Sequence, residues 1–192
     1  MTQQKIICAG FGGQGVMSMG RLIAYTGMEE GLEVSWLPSY GPEMRGGTAN
    51  CSVIVSDHAI GSPVISGDAD AVIAMNLPSL KKFEKELLPG GLLLINESLI
   101  EVGAERKDII ELRVGANAIA AELGTTKAAN MVMLGAYVAA AGLFKVDSVV
   151  SALKTVFGPG KAAYLETNRA ALMRGAELAT ELAAELAAER VR

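Results

Sequence analysis

The chain alternates short runs of consecutive apolar residues with longer stretches in which apolar positions recur every three or four residues. The first run, Lys5 to Ala9, ends at Gly10, and from Gly15 to Glu30 the residues Val16, Met19 and Ile23 keep helical spacing, which predicts strand, turn, helix. Gly31 closes that helix and Leu32 to Leu37 form a second strand, completing a βαβ unit. A polar, Gly- and Pro-bearing loop, Ser39 to Gly47, leads to a strand over Thr48 to Ser56. Asp57 and His58 read as a turn, and Ala59 to Gly67 as a hairpin arm and loop.

A further parallel-type run, Ala71 to Met75, is followed by Asn76-Leu77-Pro78, where Asn76 is placed to cap a helix with Pro78 near its first turn. That helix is expected to reach Leu87 or Leu88 and to break at Pro89-Gly90-Gly91. Leu92 to Ile95 is wholly apolar, the pattern of a strand covered on both faces, and Ile109 to Leu112 is expected to be the last strand. From Ala116 the text becomes Ala-rich and helical, with breaks at Gly124, Gly142 to Lys145 and Gly158-Pro159-Gly160. The expected fold is α/β: a Rossmann-like layered domain spanning 1–192, with a central mostly parallel sheet covered by helices and a helical C-terminal third.

Composition narrows the function. Apolar residues make up 51% of the 192 but aromatics only 5%, so the core is aliphatic and its elements can approach closely. With 17 basic against 21 acidic residues, the chain carries no electrostatic footprint for a nucleic acid. Nothing resembles a membrane span, and Met1 to Lys5 lead directly into a strand pattern rather than a cleavable leader, so a cytoplasmic location is expected. The two cysteines, Cys8 and Cys51, lie far apart in apolar stretches and cannot ligate a cluster by themselves.

Two loops could carry chemistry. Gly10-x-Gly12-x-x-Gly15 has the spacing and context of a dinucleotide fingerprint: Gly12, Gly13, Gln14 and Gly15 open a helix whose free amides favour an anion. Against this, the second strand ends Trp36-Leu37-Pro38-Ser39, with no carboxylate to hold a ribose. A turn that merely packs helix on strand reads equally well. The second loop, Ser39-Tyr40-Gly41-Pro42-Glu43-Met44-Arg45-Gly46-Gly47, follows the second strand and belongs at the same carboxyl edge. Arg45, set among Gly46, Gly47 and Pro42, could present its guanidinium to a carboxylate or phosphate; pairing with Glu43 in a plain surface loop is the alternative. Asn76, Asn96, Ser98 and Asn130 are candidates to line the same crevice. His58 reads as a surface residue, Cys8 and Cys51 as buried packing residues, and Asp68 and Asp70 as the start of a strand. No base, nucleophile or metal set assembles into a catalytic constellation.

Read in order, Gly10 to Gly15, Ser39 to Gly47, Ala74-Met75-Asn76 and Asn130-Met131 resemble the gamma subunit of the 2-oxoacid:ferredoxin oxidoreductases, with a looser likeness near Asn168 and Gly175. The wording Pro42 to Cys51 is more similar to the 2-oxoglutarate or branched-chain branch than to the pyruvate branch. The resemblance implies an accessory chain that binds no cofactor alone. It implies alpha and beta subunits holding thiamine diphosphate and magnesium, 4Fe-4S clusters on other chains including a ferredoxin-like delta subunit, coenzyme A as acyl acceptor and ferredoxin as electron acceptor. Two rivals stand beside it: a free-standing dinucleotide-dependent oxidoreductase, and a non-enzymatic anion-binding module.

Overall fold

The computed structural model describes residues 3–39, 48–158 and 164–190. Six strands form one sheet: β1 (Gln3–Phe11), β2 (Glu33–Ser39), β3 (Thr48–Ser56), β4 (Ala69–Ala74), β5 (Leu87–Asn96) and β6 (Ile110–Val114), in the order β2-β3-β1-β4-β5-β6. The pairs β1–β4, β4–β5 and β5–β6 are parallel, whereas β3 runs antiparallel to both β1 and β2. Five strands therefore share one direction, as expected, with β3 alone reversed between the two strands of the first βαβ unit.

Helices α1 (Val16–Glu29), α2 (Leu77–Phe83), α3 (Ala116–Glu122), α4 (Ala129–Ala141), α5 (Val146–Phe157) and α6 (Leu165–Arg190) cover the sheet unequally. Side chains alternate along each strand, so Ile6, Cys8, Val53, Ile73 and Leu94 enter a large core beneath α1 and α3 to α6. Ile7, Ala9, Val72, Leu93 and Ile95 enter a smaller one with Leu80 and Phe83 of α2. Ile100 and Ala104, from the connection before β6, complete the second core. Burial on both faces explains why β4 and β5 read as continuous apolar runs rather than alternating ones.

Local signals placed most helix ends. After α1 the Gly31 amide bonds Met28 O at 3.1 Å and the Leu32 amide bonds Gly27 O at 2.9 Å, the paired bonds of a Schellman stop. Asn76 caps α2 by accepting the Ser79 amide at 2.9 Å.

Two expectations fail. The α2 helix ends at Phe83 and passes through a 3-10 turn, Glu84–Glu86, because Leu87 is drawn into the second core and pairs with Ala69 at the start of β5. Pro89-Gly90-Gly91 is thus an irregularity inside β5 rather than a helix break: the partner register jumps from Ala69↔Leu87 to Ala71↔Leu92. Residues 59–67 form no strand; they are a loop tied down by bonds such as Gly67 N to Glu86 Oε2 at 2.8 Å.

Candidate functional site at the carboxyl edge of the sheet

Strand register brings the singled-out segments to one edge. Ser39 pairs with Asn50, Asn50 with Ala9, and Thr48 with Phe11. Both described ends flanking the 40–47 loop therefore lie level with the Gly10–Gly15 turn. Tyr40, Arg45, Gly46 and Gly47 themselves lie outside the described residues, as does the Arg45–Glu43 alternative. Ser39 is exposed at the end of the edge strand β2.

The turn is built around Gln14. Its Oε1 accepts the Phe11 amide at 2.6 Å and the Asn76 side-chain amide at 3.0 Å, and its Nε2 donates to Met75 O at 3.3 Å. One side chain thus ties the end of β1 to the end of β4. Gly13 and Gly15 have φ of 92° and 74°, in the left-handed region where L side chains are strained. Gly15 precedes α1 without a side-chain cap, so the first amides of that helix have no partner of this kind. A Cβ on Gly15 would sit 2.3 Å from Asn130 Nδ2, which instead donates to Gly15 O at 3.2 Å. Gly12 and Gly13 are exposed at the tip. Outside contact at this turn is open to their backbone, to the exposed Phe11 side chain and to the start of α1.

The candidate crevice residues divide by role. Asn76 caps α2 and holds Gln14. Asn96, fully buried, donates to Met75 O at 3.5 Å and to Asn117 Oδ1 at 2.8 Å. Ser98 Oγ accepts the Asn117 and Ala118 amides at 3.2 and 3.3 Å, which caps α3 from a neighbouring loop. An amide belt, Asn76–Gln14–Asn96–Asn117, with Gln14 and Asn96 joined through the shared Met75 O and with Asn130 beside it, therefore lines the edge. Asn117 was not anticipated from sequence; its signal was a position two residues past Gly115, directly after the last strand.

Other candidates lie elsewhere. Cys8 and Cys51 are direct partners across β1–β3 and fully buried, and their hydrogen bond together with burial pushes the Cys8 thiol well up. Two buried thiols cannot supply the four thiolates of a 4Fe-4S cluster, so these residues do not fit that group. No group of three or more His, Cys, Asp or Glu among the described residues could hold a metal ion. His58 sits at the opposite end of the sheet, 3.0 Å from Asp57 and 3.1 Å from Ser56 Oγ, both through Nδ1. Asp68 pairs with Lys5 and Asp70 accepts the Lys5 amide at 2.7 Å, which anchors the start of β4.

A family model described as pyruvate ferredoxin/flavodoxin oxidoreductase matches residues 5–178. The chain belongs to this family. Among its relatives, the ketoisovalerate oxidoreductase subunit VorA of Methanothermobacter thermautotrophicus is 41% identical over 181 residues, covering 92% of this chain but 36% of the relative. The chain thus spans about a third of that protein. The 2-oxoglutarate synthase subunit KorC of the same organism is 35% identical over 188 residues and covers 94% of this chain and 97% of its own. Among solved structures, the gamma subunit of a keto/oxoacid ferredoxin oxidoreductase from Geobacter sulfurreducens superposes with a TM-score of 0.80 at 29% identity, covering 93% of this chain and 99% of that one. Family membership and the gamma-subunit likeness agree with the resemblance read from the loops. Of the described motif residues, Gln14, Met75 and Asn76 meet, and Asn130 joins them at Gly15. No helix of the described residues is long and apolar enough to cross a membrane.

Proposed function

We propose that this chain is the accessory, non-catalytic gamma component of a 2-oxoacid:ferredoxin oxidoreductase that converts a 2-oxoacid, 2-oxoglutarate favoured, to an acyl-CoA. The supporting observation is the end-to-end match to a 2-oxoglutarate synthase subunit of nearly the same length. In this reading thiamine diphosphate on alpha and beta subunits supplies the decarboxylation chemistry, clusters on other chains, a ferredoxin-like delta subunit among them, pass electrons to ferredoxin, and coenzyme A takes the acyl group. The role of this chain is structural: its exposed edge residues Gly12, Gly13 and Ser39, with the Arg45 loop, form an anion-binding or docking surface beside the acyl-transfer centre.

Purification of the native protein tests the assignment. A brown, thiamine-containing assembly that reduces ferredoxin with 2-oxoglutarate and coenzyme A is expected; a colourless single species overturns it. A branched-chain 2-oxoacid as the better substrate would favour the second reading, which the 41% identity to the ketoisovalerate relative supports. Within the assembly, Arg45→Ala is expected to raise the apparent KM for coenzyme A, and unchanged kinetics with unchanged assembly would remove the docking role.

A further inference from the structure

The two cysteines of the chain stand face to face in the middle of the sheet. Cys8 of β1 and Cys51 of β3 are direct partners in the antiparallel ladder, and both side chains enter the large core on the side of α1. Opposed residues of such a ladder have Cα atoms about 4.5–5.5 Å apart. That lies inside the range of roughly 4.4–6.8 Å that a disulfide spans, so the two sulfurs can join with the strands kept in register.

The surroundings of the two thiols are unequal. Cys51 Sγ lies 3.4 Å from Val16 O at the start of α1. Gly20, one turn further along that helix, leaves room for the sulfur, since a Cβ there would collide with Cys51 Sγ and crowd Trp36 Nε1. The Cys8 thiol donates to Cys51 and, against the opposing effect of burial, lowers its pKa together with the Trp36 indole N–H and the Gly20 amide. Cys8 has no such set of donors: its bond to Cys51 and its burial push it well up. The pair is therefore polarised, with Cys51 toward the thiolate that reacts and Cys8 toward the thiol that holds its proton.

Both cysteines are fully buried, but Trp36 is not. Its side chain is 37% exposed and forms one wall of a groove of about 480 Å³ between α1 and β2, shared with Arg21, Tyr25 and Met28. Because β2 is an edge strand, this one side chain separates the groove from Cys51 Sγ, and its displacement does not require β1 and β3 to part.

We propose that Cys8 and Cys51 form a dithiol–disulfide couple, a redox-modification site at the root of the glycine turn, oxidised by hydrogen peroxide that enters past Trp36. The Cys51 thiolate attacks one peroxide oxygen, the O–O bond breaks, and the departing hydroxide takes up the proton that Cys51 lost on ionising. The Cys8 sulfur then attacks the sulfenic sulfur of Cys51. An S–S bond forms, the S–O bond breaks, and the hydroxyl leaves as water with the Cys8 proton. Two thiols thus lose two protons and two electrons, and one peroxide becomes two waters. The disulfide locks β1 to β3 two residues before Gly10 and three after Thr48, where the strands meet the Gly10–Gly15 turn and the 40–47 loop. This inference does not rest on the subunit assignment, because both thiols belong to this chain.

The test treats the folded full-length chain with hydrogen peroxide, blocks the remaining thiols and maps tryptic peptides by mass spectrometry without reduction. Peptides 6–21 and 46–81 are expected to appear joined and lighter by two hydrogens, in monomeric chains. The emission of Trp36, the one tryptophan of the chain, should fall at the same rate, and dithiothreitol should reverse both changes. In Cys8→Ser, Cys51 is expected to stop at a sulfenic acid that dimedone traps, whereas in Cys51→Ser, Cys8 should stay a thiol. Thiols that survive peroxide until the chain is unfolded in urea, bridges formed only between chains, or dimedone labelling of Cys8 instead of Cys51 would overturn the proposal.

Discussion

Gly135 of α4 and Gly175 of α6 mark the point where the two helix backbones touch: a Cβ on Gly135 would lie 1.9 Å from Leu172 O, and one on Gly175 would lie 2.0 Å from Val132 O. The relation is reciprocal, and neither carbonyl can move without unwinding its helix. The contact holds α6 against α4, which is itself buried along most of its length.

Gly135→Ala and Gly175→Ala are each expected to destabilise the chain by about 3 kcal/mol or more, the upper end of overpacking costs, since the clash is with main chain rather than a yielding side chain. Urea denaturation of the full chain measures this. A change within a few tenths of a kcal/mol at either site would contradict so close a crossing.

Gln14 and Asn76 should couple energetically. Gln14→Ala removes three hydrogen bonds that join β1 to β4, and Asn76→Ala removes the α2 cap as well as one of the three. Each substitution is expected to cost about 1–3 kcal/mol. In a double-mutant cycle the combined loss should fall short of the sum by about 0.5 kcal/mol or more; strict additivity would mean that the shared bond contributes nothing.

Tyr137 is fully buried, its Oη has no hydrogen-bond partner among the described residues, and burial, aided by Cys8 and Asp70, pushes the phenol well above its ordinary range. An unsatisfied buried hydroxyl is a cost. Tyr137→Phe should therefore leave thermal stability unchanged or raise it, by up to about 1–2 kcal/mol. A marked loss would reveal a bond to ordered water that the hydroxyl maintains.

The Lys5–Asp68 pair gives stability a small acid dependence. The hydrogen bond from Lys5, followed by the Ser66 amide, lowers the Asp68 pKa below the ordinary value of about 3.9. Its contribution is therefore fully present above that ordinary value and is lost as pH falls through the lower folded value. With the Asp68 side chain 39% exposed, screening limits it to about 0.5 kcal/mol. Lys5→Met should remove this increment near neutral pH and narrow the gap to wild type in acid; a gap that widens in acid would contradict the sign.

Much of the architecture was legible because its signals are local. Apolar runs and helical spacing located the strands and most helices, Gly31 and Asn76 marked ends through bonds made within one turn, and the loop motifs carried the family. Where the reading failed, a distant partner decided: Leu87 left the helical register because β4 and the second core claimed it. The candidate site divides the same way. Gly13, Gln14 and Gly15 were visible as a turn, but that Gln14 is engaged with Met75 and Asn76, 61 and 62 positions away, is a consequence of β1 and β4 pairing in parallel.

The sequence by itself determined the fold class, the aliphatic core, the shortage of cluster ligands and the family, since each rests on composition, periodicity or short contiguous motifs. Only the tertiary structure decided that β3 enters between β1 and β2, that Asn76, Gln14, Asn96 and Asn117 form one belt through Met75 O, and that α4 and α6 cross at Gly135 and Gly175. Strand order and helix convergence depend on which surfaces bury one another across more than a hundred residues, and no local pattern records that choice.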